Sequence, residues 1–210
     1  LCDLDLCRAG RTGVIFGLQS PPYSCDEASI QRLYEAGIRV MQVVYREDNP
    51  YGGDFRDSER DLSDLGRGLI SLCSQQGIII DFSHVNHRTA RSMLRVASGP
   101  IFASHTGCWE VYPQYPNNHS RVHYRNLPDD VLRGIADKGG VIGIYTLTFG
   151  LHPEDNSLEP FFEHLYCAID LCGEDAVVIG SDGVYIYQDP EAASKQFGFM
   201  KDKLDPDGRM

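Results

Sequence analysis

Short apolar runs alternate with longer amphipathic ones along the chain. Six runs, at residues 12–18, 38–44, 77–83, 100–104, 141–146 and 176–181, are rich in Val or Ile and too short for helices, so they predict strands. Between them, apolar positions recur at helical spacing. Residues 26–36 place Ile30, Leu33 and Tyr34 on one face, and residues 61–75 do the same with Leu62, Leu65, Leu69, Leu72 and Cys73. Three further helices are predicted at 88–97, 129–138 and 159–172, carried by Ala90, Met93 and Leu94, by Leu132, Ile135 and Ala136, and by Phe161, Leu165, Ala168 and Ile169. Gly37 and Gly77 supply the stops for the first two.

Strands that are apolar throughout, alternating with helices, imply a parallel sheet covered by helices, either an open doubly wound sheet or a β/α barrel. The chain has neither G-x-G-x-x-G nor G-x-x-x-x-G-K, which removes the main support for nucleotide binding. The residues that follow the apolar runs favour the barrel. They are Gln19, Tyr45, His84, His105 and Asp182, and only the run at 141–146 lacks a polar candidate. Barrel active sites are assembled from the C-terminal ends of different strands, where residues distant in sequence converge. Two imidazoles and a carboxylate placed there suit a first-row metal such as zinc, with a position left for water.

Each of these residues also has an ordinary structural reading. A single strand-end histidine is more often hydrogen-bonded than ligating. Asp182, in Ile-Gly-Ser-Asp-Gly, suits an Asx turn, Gln19 can order the Pro21-Pro22 loop, and Tyr45 can cover the core. Two histidines at matching strand ends shift the balance toward ligation. His87, His152 and His164 are expected on helix surfaces or loops in structural roles, while His119 and His123 are left open.

Composition narrows the class. With 210 residues and 42% hydrophobic content, the chain suits one core, so residues 1–210 are read as a single domain with no apolar stretch long enough to span a bilayer. The net charge of −11 argues against a nucleic-acid partner. Seven cysteines, an odd number without a C-x-x-C pair, read as reduced thiols and point to the cytoplasm. The first residues contain no initiator Met and no signal peptide, and a fragment is expected at both ends.

Several segments together carry a resemblance. They are Gly-Val-Ile-Phe-Gly-Leu-Gln at 13–19, Leu-Tyr-Glu-Ala-Gly-Ile-Arg at 33–39, Gly-Ile-Ile-Ile-Asp-Phe-Ser-His-Val at 77–85 and Ala-Ser-His at 103–105. Arg-Asn-Leu-Pro-Asp-Asp at 125–130, Gly-Gly-Val-Ile-Gly at 139–143 and Ile-Gly-Ser-Asp at 179–182 continue it. With these the chain resembles the membrane (renal) dipeptidase family, metallopeptidase family M19, among the amidohydrolase-like barrels. The resemblance implies a TIM-type (β/α)8 barrel and a metal-dependent hydrolase that cleaves the amide bond of dipeptides with one or two zinc ions. It implies His84 and His105 as metal ligands, Asp182 as ligand and acid/base, Arg125 as the group that grips the substrate carboxylate, and Tyr45 at the position of the substrate-polarising histidine. The chemistry agrees: a guanidinium offers a planar fork to a free carboxylate, and a phenol can donate to an oxyanion.

The chain also departs from the family. Gln19 stands where the resemblance implies a bridging Glu between two metals, and a neutral amide contributes no charge there. The His-x-Asp pair of the first strand is absent, since no His precedes His84. Aligned on the family, the six strands are the third to eighth of the barrel, with residues 1–11 the tail of the second helix and the first two strands outside the sequence. Open edges at 12–18 and 176–181 would then favour association, and a homodimer is expected. Two alternatives follow: a one-metal amidohydrolase acting on another small amide or a lactone, and a metal-free barrel used for binding.

Overall fold

The computed structural model describes residues 13–23, 25–45, 48–112, 125–152 and 154–182. The positions of residues 1–12, His119 and His123 fall outside them. Six parallel strands, β1 (Phe16–Leu18), β2 (Ile38–Gln42), β3 (Ile79–Asp81), β4 (Ile101–Thr106), β5 (Val141–Ile144) and β6 (Val177–Ile179), pair in chain order. Helices α1 (Glu27–Glu35), α2 (Asp64–Gln76), α3 (His87–Val96), α4 (Asp129–Asp137), α5 (Thr148–Leu151) and α6 (Glu159–Cys172) lie between them. A sheet whose strands follow chain order through right-handed crossovers carries its helices on one face, as in a barrel rather than a doubly wound sheet.

The alternation of side chains shows this directly. Met41, Ile80, Ala103, Ile142 and Ile144 are fully buried in the core with Ile70, Met93, Leu132, Ile135 and Phe161 of the helices. Their neighbours Val40, Gln42, Ile79, Asp81, Phe102, Ser104 and Val141 line a cavity of about 750 Å³ on the opposite face. No helix among the described residues is long and apolar enough to cross a membrane.

Capping sets the helix starts. Asp26 accepts from Ser29 N at 2.8 Å, Ser63 Oγ from Gly66 N at 3.0 Å and Asn86 Oδ1 from Thr89 N at 2.7 Å. The second helix therefore begins at Asp64 rather than at 61, because Ser63 caps it, and the third begins at His87. Gly77, at φ 81°, closes α2 in the left-handed conformation that glycine adopts without a Cβ penalty. The strands are shorter than their apolar runs, with one exception. β4 extends to Thr106, so His105 lies within the strand and not after it.

That extension has a local cause. The β4–β5 register shifts between Ala103 and Thr106, and such a bulge re-aims side chains, so the adjacent residues Ser104 and His105 both line the cavity. The Ser104 carbonyl packs closely against β5 and the residue that follows β6. A Cβ on Gly143 would lie 2.3 Å from it and one on Gly180 2.0 Å, so only glycine fits at either position.

Candidate functional site

Four of the six candidate residues meet directly at the C-terminal end of the sheet. His84 follows β3 by three residues in a left-handed backbone conformation (φ 68°), and Asp182 follows β6 by three with φ 48°. Non-glycine residues held at positive φ are uncommon and cluster at functional sites. One ligating atom each of His84, His105 and Asp182 lies within 4.8 Å of the other two. Arg125 Nη2 donates to Asp182 Oδ2 at 2.8 Å and to His84 Nε2 at 3.0 Å. His105 Nε2 stands 3.7 Å from Asp182 Oδ1. Tyr45 joins from beyond β2, its ring 4.8 Å from that of His84, and the two imidazoles are 4.9 Å apart, edge to face. Gln19, just after β1, lines the same cavity as His105 and Asp182, and a smaller one of about 280 Å³ with Tyr45.

Both histidines are held neutral. Burial pushes the His84 imidazolium down to about 2, with the positive charge of Arg125 adding to the effect. Burial also lowers His105, against the opposing pull of Asp81 and Asp182. Neutral imidazole is the form that ligates a metal.

The donor set fits a divalent cation. His105 Nε2 is buried without a hydrogen-bond partner, and Asp182 supplies a partly exposed carboxylate beside it. A guanidinium can only donate, so His84 accepts at Nε2 and its own proton is on Nδ1, which is likewise buried and unpartnered. Arg125 is thus a cation already sharing the lone pairs of His84 and Asp182. Three convergent donors are what a metal with an open coordination position requires, and the His84 Nε2 lone pair becomes available to an ion only when the Arg125 guanidinium gives it up.

What holds the site together is a set of buried polar residues that the pattern of apolar runs does not single out. Asp81, 3% exposed, accepts from Ser83 and Ser104, and Ser104 Oγ bonds His105 Nδ1 at 2.7 Å. Asn126, fully buried, clamps the segment that carries Arg125: its Oδ1 accepts from Gly107 N at 3.1 Å and its Nδ2 donates to Gly150 O at 2.9 Å. Tyr145, after β5, donates its hydroxyl within the same clamp, and the Arg125 guanidinium stands 5.2 Å from its ring. It is the polar strand-end residue of β5, which ends at Ile144. Asp81 and Ser83 were visible only as part of the segment 77–85.

One structural histidine is placed differently from expectation. His164 is fully buried inside α6 rather than on a helix surface, because Cys108 N donates to its Nδ1 at 2.9 Å and its Nε2 reaches Leu151 O at 3.1 Å. His87 begins α3 with Nε2 2.9 Å from Asn126 O, and His152 Nδ1 accepts from Asp155 N at 2.7 Å, both structural arrangements.

Known proteins are similar to this chain in sequence and fold. A dipeptidase of Clonostachys rogersoniana, verJ, is 28% identical over 182 residues, 85% of this chain and 45% of that protein. The crystal structure of an amidohydrolase from Pseudomonas aeruginosa superposes with a TM-score of 0.71 at 24% identity, over 89% of this chain and 56% of that one, which establishes the likeness of fold. A metallopeptidase from Rhodobacter sphaeroides, liganded with a phosphinate mimic of the dipeptide L-Ala-D-Ala, gives 0.63 at 27% identity over 81% of this chain and 52% of its own. The chain thus spans about half the length of the proteins it matches. The family model for membrane dipeptidase matches residues 6–193, nearly the whole sequence and every residue of the site, and the chain belongs to that family, peptidase family M19.

Proposed function

We propose that the chain carries the centre of a zinc-dependent hydrolase that cleaves the amide bond of dipeptides. The observation that carries this reading is the convergence of two neutral imidazoles, a carboxylate and a buried guanidinium at one end of a parallel sheet. The dipeptide mimic held by the Rhodobacter sphaeroides relative supports the substrate class.

His84, His105 and Asp182 would hold the ion, and Gln19, being neutral, favours one ion over two. Bound there, a divalent cation supplies Lewis acidity that polarises an amide carbonyl and acidifies water. Arg125 presents its planar fork to the free carboxylate of the substrate, which suits a dipeptide and disfavours a longer chain. Asp182 takes the proton from the attacking water and returns it to the leaving nitrogen as the C–N bond breaks. Tyr45 donates to the oxygen on which negative charge develops. A second reading keeps one ion but takes another small amide or a lactone, and Gln19 and Tyr45 favour it because both are neutral at positions where the family uses charge. The proposal extends to a homodimer and to a cytoplasmic location, the latter in keeping with free thiols. Sedimentation and cell fractionation test these two points.

The deciding experiment is elemental analysis of the purified protein, with His84→Ala and His105→Ala beside it, followed by hydrolysis of a dipeptide and lactone panel. One equivalent of zinc in the wild type, lost in both variants, together with release of free amino acids, is expected. Turnover of lactones alone selects the second reading. Failure of the wild type to take up supplied zinc rejects the hydrolase and leaves the metal-free barrel used for binding.

A further inference from the structure

We propose that Asp81 is a positioning residue that acts through Ser104 to fix His105 in the Nδ1–H tautomer, with its Nε2 lone pair turned into the cavity. The argument is a count of protons. Asp81 Oδ1 accepts from Ser83 N at 3.0 Å, Ser83 Oγ at 2.8 Å and Ser104 N at 2.9 Å. Its Oδ2 accepts from Ser104 Oγ at 2.5 Å. A carboxylate receiving four donors has no proton to give. The single proton of Ser104 is therefore committed to Asp81, so its oxygen can only accept, both at the 2.7 Å contact with His105 Nδ1 and at the 3.0 Å contact with Ser83 Oγ, whose own proton lies between Asp81 and Ser104. The imidazole is the donor there. Ser83 Oγ fixes the same residue from behind by accepting its backbone N–H at 3.0 Å.

The consequence falls on the far side of the ring. A neutral imidazole protonated at Nδ1 has a free lone pair at Nε2, the atom that is buried, unpartnered and 3.7 Å from Asp182. Partners of this kind fix the tautomer and orientation of metal-binding histidines and raise their basicity. The carboxylate sits on β3 and the serine and imidazole on β4, so the pairing of these two strands, together with the bulge at Ser104 and His105, builds the device.

The consequence for metal binding rests on the reading of His105 as a ligand, whereas the tautomer does not, and the test separates the two. Asp81→Asn is nearly isosteric. Its carbonyl oxygen would stay with the three donors at Oδ1, so its amide nitrogen would face Ser104 and donate to it. Ser104 would then turn its proton toward His105 Nδ1, the nearer of its two remaining acceptors at 2.7 Å against 3.0 Å to Ser83 Oγ, and force the Nε2–H tautomer, which a purely structural carboxylate would not do. The tautomer is read by two-bond ¹⁵N–¹H spectra of the full-length, histidine-labelled, metal-stripped protein, with His105→Gln to assign the signal. Zinc affinity is read by chelator competition.

Wild type is expected to show Nδ1–H, and Asp81→Asn to show Nε2–H with zinc affinity lower by about 10–100-fold. Ser104→Thr, which keeps the hydroxyl, is expected to retain the wild-type tautomer and affinity. An Nε2–H wild type overturns the proposal, as does an Asp81→Asn protein that keeps the wild-type tautomer and affinity. A wild type that takes up no zinc rejects the proposed function alone, and the tautomer still decides the role of Asp81. If Asp81→Asn does not fold, the wild-type and Ser104→Thr spectra decide it.

Discussion

His164, within α6, and His105, within β4, are both buried, yet the two regions treat an imidazole in opposite ways. Around His164 both ring nitrogens are bonded to backbone: Cys108 N–H donates to Nδ1, so the ring proton is on Nε2 and points to Leu151 O. Around His105 the proton is drawn to Nδ1 by Ser104, and Nε2 is left facing a cavity without a partner. The first arrangement joins α6 to the chain after β4 and the end of α5. The second leaves a lone pair available at a fixed position. Burial alone does not distinguish a structural histidine from a functional one; the accounting of its two nitrogens does.

Substitution at the two places should therefore separate stability from binding. His164→Ala leaves Cys108 N–H and Leu151 C=O buried without partners and opens a void, so a loss of about 3–5 kcal/mol in urea unfolding is expected, with zinc uptake unchanged in the folded fraction. His84→Ala and His105→Ala should do the reverse. Zinc affinity should fall by at least about 100-fold, near 2.7 kcal/mol, while stability of the metal-stripped protein changes by about 1 kcal/mol or less. Equal destabilisation by all three would erase the contrast.

Smaller effects sharpen it. Gly143→Ala or Gly180→Ala drives a methyl into the Ser104 carbonyl and should cost about 1–3 kcal/mol, together with a shift of the His105 signals that His164 does not share. Arg125→Gln removes the cation that competes for His84 Nε2 and Asp182. Zinc affinity should rise about fivefold, roughly 1 kcal/mol, while the KM for dipeptides also rises.

The last effect is one of pH, measured on the metal-stripped protein. His84 and His87 are held below the ordinary imidazole value, chiefly by burial, so the unfolded chain binds more protons than the folded one as the pH falls. Their stabilisation is complete above about pH 6.5 and is lost progressively as the pH is lowered toward the folded values, which for His84 is about 2. Unfolding midpoints should decline from pH 7 to pH 5. A flat profile would show that these rings are solvated.

Much of this was legible in the chain. The alternation of apolar runs with helical patterns gives the six strands and five of the six helices, and the polar residues after those runs include His84, Asp182 and Tyr45. The short helix Thr148–Leu151 is not legible there, because four residues carry too little periodicity to register. The apolar run stops at Ser104 and so predicts His105 after its strand, whereas the ladder continues through a bulge that composition does not encode. Tyr145 lies inside the apolar run at 141–146, which hides it as a polar candidate, although its hydroxyl completes the clamp on the Arg125 segment.

By itself the sequence determined the order of strands and helices, the apolar face of each longer helix, and that polar side chains follow most of the apolar runs. These follow from local periodicity and from capping groups a few residues away. Only the tertiary structure decided what each polar side chain does there. Asp81 reaches Ser104 across 23 positions, Arg125 reaches Asp182 across 57, and Cys108 reaches His164 across 56. A hydrogen-bonding group takes its protonation and direction from whichever partners the fold brings to it, and strand pairing rather than sequence proximity selects them.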